Sequence, residues 1–245
     1  QSGLCNQVNK FDEELRFAAQ LQREFLPTRL PEVQGIECRA LWRPAAYVSG
    51  DLYDVLRLDE DHIGIFIADA VGHGVPAALL TVFIRRSLPT KEIHDGGYRI
   101  IPPAEALAHL NCEMVDSQTD GKARIATAAY VVINCTTRQA QLARAGHPLP
   151  LLLRTSGESE WLEPDGALLG VFDEAEFETL DFNMDDGDRL LLYTDGFELA
   201  FPEKIDGGRP KANTKYEDVF HDVAHGSLDN VLPNLASRVD QHAGS

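Results

Sequence analysis

The sequence predicts an α+β sandwich, because its strand-like stretches come in groups instead of alternating one by one with helices. Two helical stretches stand between two groups of strands, which is not the order of a doubly wound parallel sheet. Hydrophobic spacing also changes along the chain from a helical period to a period of two and back. A chain of 245 residues with 44% apolar and 25% charged side chains can bury a sizeable core, and one large domain is the default reading.

From Lys10 to Leu26, Phe11, Leu15, Ala18, Leu21 and Phe25 fall near one helical face, and Pro27 ends the run. The mixed charge of the remaining positions suits an exposed linker helix. Ile36, Cys38, Ala40 and Trp42 then recur at every second position, as expected of a strand with one wet face. Further strands are expected at Leu52–Leu58 and His62–Asp69, followed by a helix over Val75–Leu88. Pro103–Ser117 reads as a helix with proline at its start and Leu107, Leu110 and Met114 at helical spacing. Ile125–Cys135, Gln139–Ala145, Leu149–Arg154 and Arg189–Thr194 form a second strand series. Helical spacing returns over Leu228–Val239 through Val231, Leu232 and Leu235. Pro202–Lys215, rich in Gly, Lys, Asp and Pro, is expected to be the least ordered stretch.

A formal charge of -17 argues against non-specific binding to nucleic acid or to an anionic membrane. An acidic protein that acts on phosphate must bring in positive charge, and divalent cations can supply it. Cys5, Cys38, Cys112 and Cys135 form no Cys-x-x-Cys pair, so neither a zinc knuckle nor a redox motif is indicated. The apolar run Ala77–Ile84 is too short to cross a bilayer, and Gln1-Ser2-Gly3 does not resemble a signal peptide. A cytoplasmic location is therefore expected, whether the chain is whole or part of a longer one.

Ser49-Gly50-Asp51, Asp69-Ala70-Val71-Gly72-His73-Gly74 and Tyr193-Thr194-Asp195-Gly196 each place an aspartate beside glycine where an expected strand begins or ends. An acid at a strand end projects from a rigid sheet, and the glycine lets backbone carbonyls and water approach a cation. Hard ions such as Mg²⁺ and Mn²⁺ prefer such oxygen donors. Taken singly, each stretch is more often a turn or a cap; their combination points to a metal site.

In order, Ala19-Gln20-Leu21-Gln22, Leu26-Pro27, Pro44-Ala45, Val48-Ser49-Gly50-Asp51-Leu52-Tyr53-Asp54 and Asp69-Ala70-Val71-Gly72-His73-Gly74-Val75-Pro76-Ala77-Ala78 are followed by Leu110-Asn111. Ala145-Gly146-His147-Pro148, Leu169-Gly170 and Gly187-Asp188-Arg189-Leu190-Leu191-Leu192-Tyr193-Thr194-Asp195-Gly196 complete the series. This series resembles the SpoIIE/RsbU branch of the PPM family, bacterial metal-dependent serine/threonine phosphatases that regulate sigma factors. The resemblance implies an αββα sandwich, two antiparallel sheets flanked by helices, with residues 1–27 as a linker helix and 28–245 as the phosphatase domain. It implies that Asp51 and Asp69 ligate two Mn²⁺ or Mg²⁺ ions, Asp69 bridging both, with the Ala70 carbonyl as a further ligand and Asp195 holding the second ion. A metal-bridging water would attack phosphorus directly, with no phosphoenzyme.

The same resemblance implies a phosphorylated STAS-type anti-anti-sigma protein as substrate, an upstream sensor or receiver domain, and pairing between protomers through Phe11, Leu15, Ala18 and Phe25; the alternative is that this apolar face packs on its own domain. Relatives carry one more metal-binding aspartate in an Asp-Asp pair that opens a final apolar strand. This sequence stops at Gln241-His242-Ala243-Gly244-Ser245, where that strand is expected. The competing expectation is a degenerate domain that serves as an adaptor or anti-sigma binding module. His73 is a candidate general acid, although the eukaryotic family histidine falls at the position of Val71, which leaves a structural role near the helix start. His147 is expected to support a turn, and Asp54 either backs the metal ligands or is a surface acid.

Overall fold

The computed structural model describes residues 2–44, 46–118, 123–200, 219 and 226–242. In chain order its elements are α1 (Ser2–Phe25), β1 (Asp51–Arg57), β2 (His62–Ala70), α2 (Val75–Ser87), β3 (Lys91–His94), β4 (Gly97–Ile100) and α3 (Pro103–Asp116). They continue with β5 (Ala126–Asn134), β6 (Gln139–Ala145), β7 (Leu151–Leu153), β8 (Ser159–Trp161), β9 (Leu180–Asn183), β10 (Arg189–Leu191), α4 (Asp195–Ala200) and α5 (Leu228–His242).

β5 shows why these residues form a sandwich. Ala126, Ala128, Tyr130 and Val132 point to one side of the sheet and pack with Ala77, Leu80 and Ile84 of α2 and Leu107, Leu110 and Met114 of α3. The intervening Ala129, Val131 and Ile133 point the other way, against Leu152 of β7 and Leu190 of β10. A strand apolar on both faces has to be covered twice, by helices and by another sheet. The covered sheet is antiparallel, five-stranded and ordered β1-β2-β5-β6-β9; the second has the order β10-β7-β8. The outer side of the second sheet buries Leu151, Leu153 and Tyr193 with Phe197 of α4 and Val231 of α5. The layers therefore run helix, sheet, sheet, helix, as expected. Each fully buried leucine, isoleucine or phenylalanine in these layers contributes about 1.5–3 kcal/mol.

Ile36–Trp42 does not form the expected strand. Its one ladder contact is an isolated bridge between Val33 and Ile36. Ile36 and Cys38 pack into the core between the sheets from an extended segment, while Trp42 packs against the helix-side core. Alternation records which side chains are buried, and burial does not require a hydrogen-bonded neighbour. The β3–β4 hairpin turns at Asp95-Gly96, with Gly96 at φ 97°, a two-residue turn signal not read from the sequence. β8, β9 and α4 were also not anticipated. β10 is shorter than Arg189–Thr194, so Asp195 opens α4 instead of ending a strand. The stretch Pro202–Lys215 lies outside the described residues. Among the described residues no helix is long and apolar enough to cross a membrane.

Candidate metal centre

Asp51 begins β1 and stands directly opposite Asp69, which in turn stands opposite Thr127 of β5. Residues directly opposite across antiparallel strands share a face. Asp69 has the same parity along β2 as Ile63, Ile65 and Ile67, which pack between the sheets. The acids thus sit where the inter-sheet core ends and its mouth opens. Asp195 approaches from the second sheet, just past β10. A cavity of about 600 Å³ occupies this mouth, with Asp69, Thr127, His147, Trp161, Tyr193 and Asp195 among its walls.

The electrostatics match that crowding. Burial first, then the charges of Asp51 and Asp195, raise the Asp69 carboxyl to about 7. Burial also raises Asp51, opposed by hydrogen bonds from the Ser49 and Thr194 side chains and reinforced by Asp195. Carboxylates held together without a neutralising cation resist ionisation, the condition a bound divalent ion relieves.

Gly50 explains how backbone oxygen reaches the same place. A Cβ on Gly50 would lie 2.6 Å from the Ala70 carbonyl oxygen and 3.2 Å from Asp69 Oδ1. Both oxygens therefore converge on space that any other residue would fill. The Ala70 N–H donates to the Gly50 carbonyl at 2.9 Å, which holds the approach. Among the described residues no three His, Cys, Asp or Glu side chains close into a complete cage. The donor set is carboxylate and carbonyl oxygen with room for water, which fits Mg²⁺ or Mn²⁺ and not a thiolate- or imidazole-bound zinc.

The remaining candidates separate. His73 is exposed on the turn between β2 and α2, and the histidine that shares the cavity with Asp69 and Asp195 is His147. His147 is 2% exposed, its Nδ1 lies 2.8 Å from Thr127 Oγ1, and its buried Nε2 makes no hydrogen bond. Burial pushes its pKa down to about 4 against the opposing Tyr193 backbone, so the ring is neutral near pH 7. The residue before it, Gly146, has φ 59°, and Arg144 Nη1 donates to the His147 carbonyl at 3.0 Å. Asp54 is not a surface acid; it is buried and accepts from Arg85 Nε of α2 at 2.7 Å.

The sequence alone gives no role to Arg85, Thr194 or Gln22. Gln22 had a signal, since it is a polar side chain on the same helical face as the buried Ala19 and Leu26.

The family model described as Stage II sporulation protein E (SpoIIE) matches residues 59–245. Phosphoserine phosphatase RsbU of Bacillus subtilis (strain 168) is 29% identical over 231 residues, covering 93% of this chain and 66% of that protein. The chain thus spans just under two thirds of that relative. The SiaA-PP2C domain of Pseudomonas aeruginosa has a similar fold, with a TM-score of 0.78 at 23% identity over 98% of this chain and 93% of that one. RsbX, solved in complex with magnesium, superposes with a TM-score of 0.57 at 18% identity over 80% of this chain and 83% of that one.

Proposed function

Because the chain belongs to the SpoIIE family of PP2C-type phosphatases, we propose that it hydrolyses phosphoserine or phosphothreonine on a bacterial regulatory protein with the help of divalent cations. The observation that carries this reading is the cross-strand pair Asp51 and Asp69, joined by Asp195 from the opposite sheet at the mouth of the sandwich. Asp51, Asp69, Asp195 and the Ala70 carbonyl would hold two Mn²⁺ or Mg²⁺ ions, with Asp69 shared between them; the magnesium bound by RsbX supports a hard ion. When bound, such ions make water acidic enough to attack phosphorus and offset charge on the phosphoryl oxygens.

The protein's own residues do the positioning. Ser49 and Thr194 hydroxyls orient Asp51. Neutral His147 and Thr127 form one wall beside Asp69, while Trp161 and Tyr193 give the cavity an aromatic wall. His73, by its exposure, is assigned a place in the turn and not in proton transfer.

In this reading residues 1–27 are a linker helix to an upstream sensor or receiver domain, and residues 28–245 are the phosphatase domain. The substrate is a phosphorylated STAS-type protein, and the setting is the cytoplasm. Protomers pair through the exposed Phe11 and Phe25 of α1, with Leu15 and Ala18 at the edge of that contact. The second reading is an adaptor that binds its partner without hydrolysis. Release of phosphate from a phosphorylated STAS protein with added Mn²⁺, lost in Asp69→Asn and Asp195→Asn, is the expected result. No release by the longest natural chain that carries this region would leave the adaptor.

A further inference from the structure

We propose that Gln22 is a positioning residue of the metal centre: its side-chain amide stands in for a neighbouring strand beside Ser49 and so sets where Asp51 stands. Gln22 lies on α1 and is 5% exposed, on the face that also buries Ala19 and Leu26. Its Oε1 accepts the Ser49 N–H at 2.9 Å, and its Nε2 donates to the Ser49 carbonyl at 2.6 Å. Both backbone groups of one residue are thereby engaged by one amide, the pattern a paired strand would offer.

The amide has one consistent orientation. Thr81 Oγ1 donates to the Ala78 carbonyl at 2.7 Å, so towards Gln22 Nε2, 3.5 Å away, it can only accept. Nitrogen therefore faces Thr81 and the Ser49 carbonyl, and oxygen faces the Ser49 N–H. Thr81 is on α2, which ties the amide to two helices.

From Ser49 the constraint passes directly to the acid. Ser49 Oγ donates to Asp51 Oδ2 at 2.9 Å and accepts the Asp51 N–H at 3.1 Å. Gly50, between them, is fixed from the other side by Ala70 N–H. The segment Ser49–Asp51 is thus held between α1 and β2, and Asp51 begins β1 at the point where Gln22 stops acting. An apolar side chain at Gln22 would keep α1 buried but leave the Ser49 peptide groups unpaired, freeing the hydroxyl that aims Asp51. Partners of metal-binding side chains change affinity by about tenfold or more when lost.

This inference rests on the reading of Asp51 as a metal ligand, and its test separates the two. Mn²⁺ affinity is measured by calorimetry, and backbone amide exchange is measured in the ion-free protein. The variants are Gln22→Met, Gln22→Glu and, as a control, Leu26→Ala, which loosens the packing just past the end of the same helix without removing a hydrogen bond to Ser49. Gln22→Glu keeps an acceptor for the Ser49 N–H but removes the donor to its carbonyl, and it stands alone if Gln22→Met does not fold. Both Gln22 variants are expected to bind Mn²⁺ about tenfold more weakly or worse and to exchange the Ser49 and Asp51 amides faster. Leu26→Ala is expected to lower Tm while holding Mn²⁺ affinity within about twofold. Wild-type affinity and exchange in the Gln22 variants, or equal weakening by Leu26→Ala, would overturn the proposal. A wild-type protein that bound no Mn²⁺ would overturn the phosphatase reading, while the exchange of Asp51 would still judge the role of Gln22.

Discussion

Burial and the charges of Asp51 and Asp195 raise Asp69 to about 7, so in the ion-free protein its ionisation opposes the fold. A carboxyl raised in the folded state stabilises fully below its unfolded value of about 4, and that contribution is lost as pH rises through about 7. Thermal melts of chelated protein should therefore fall in Tm between pH 5 and pH 8, and Asp69→Asn should flatten the slope. An equal slope in the variant would count against the charge crowding. Asp188 behaves in the opposite sense. Burial alone would raise its carboxyl, but the Asp185 and Thr155 N–H groups, Arg154 and the Thr155 hydroxyl outweigh it and lower the pKa. Its stabilisation is present above the unfolded value and is lost as pH falls through the lower folded one. The carboxylate is 2% exposed and ties the β7–β8 turn to the approach of β10. Asp188→Asn should cost about 2–3 kcal/mol in urea unfolding, because the amide keeps only one acceptor oxygen. At Gly50 the neighbour that a Cβ would strike is backbone, which cannot rotate away. Gly50→Ala should cost about 1–3 kcal/mol and also weaken Mn²⁺ binding; a variant as stable as wild type would show that the strands can part there.

Between elements, α2 is tied to β1 by an ion pair as well as by their shared apolar core. Asp54 is buried, its Oδ1 accepts the Val55 N–H, and its Oδ2 takes Arg85 Nε. Removing Arg85 would strand a buried carboxylate, so Arg85→Met should lose about 3 kcal/mol of stability. Pairing it with Asp54→Leu should recover much of that loss, and a double variant no better than the single would argue that Arg85 acts through packing. Elements were legible where periodicity and packing agreed. The α2 and α3 helices and the β1–β2 and β5–β6 hairpins lie within a few residues of expectation, because their apolar spacing reports the face they bury. Ile36–Trp42 failed because its alternating side chains fill the edge of two cores without a ladder. β8 and β9 were missed because three- and four-residue strands at a sheet edge are too short to show a period.

For the molecule as a whole, the charge of -17 and the gathered acids favour cations as counter-charge. Mn²⁺ at 100 times its Kd should stabilise the protein by about 2.7 kcal/mol through mass action, visible as a concentration-dependent rise in Tm. No shift at any Mn²⁺ concentration would sink the metal centre. The sequence by itself determined the layered α+β class, the acidic character and the identity of Asp51, Asp69 and Asp195 as the candidate acids, because hydrophobic period and motif order are properties of the chain. Tertiary structure decided which side chains share the cavity with Asp69 and Asp195. It brought in His147, Thr127 and Tyr193, left His73 in solvent, turned Asp54 into the partner of Arg85, and placed Gln22 against Ser49. Those contacts join residues from 20 to more than 100 positions apart, and their existence depends on how two sheets and their helices stack. Local spacing carries no record of that distance, whereas packing sets it directly.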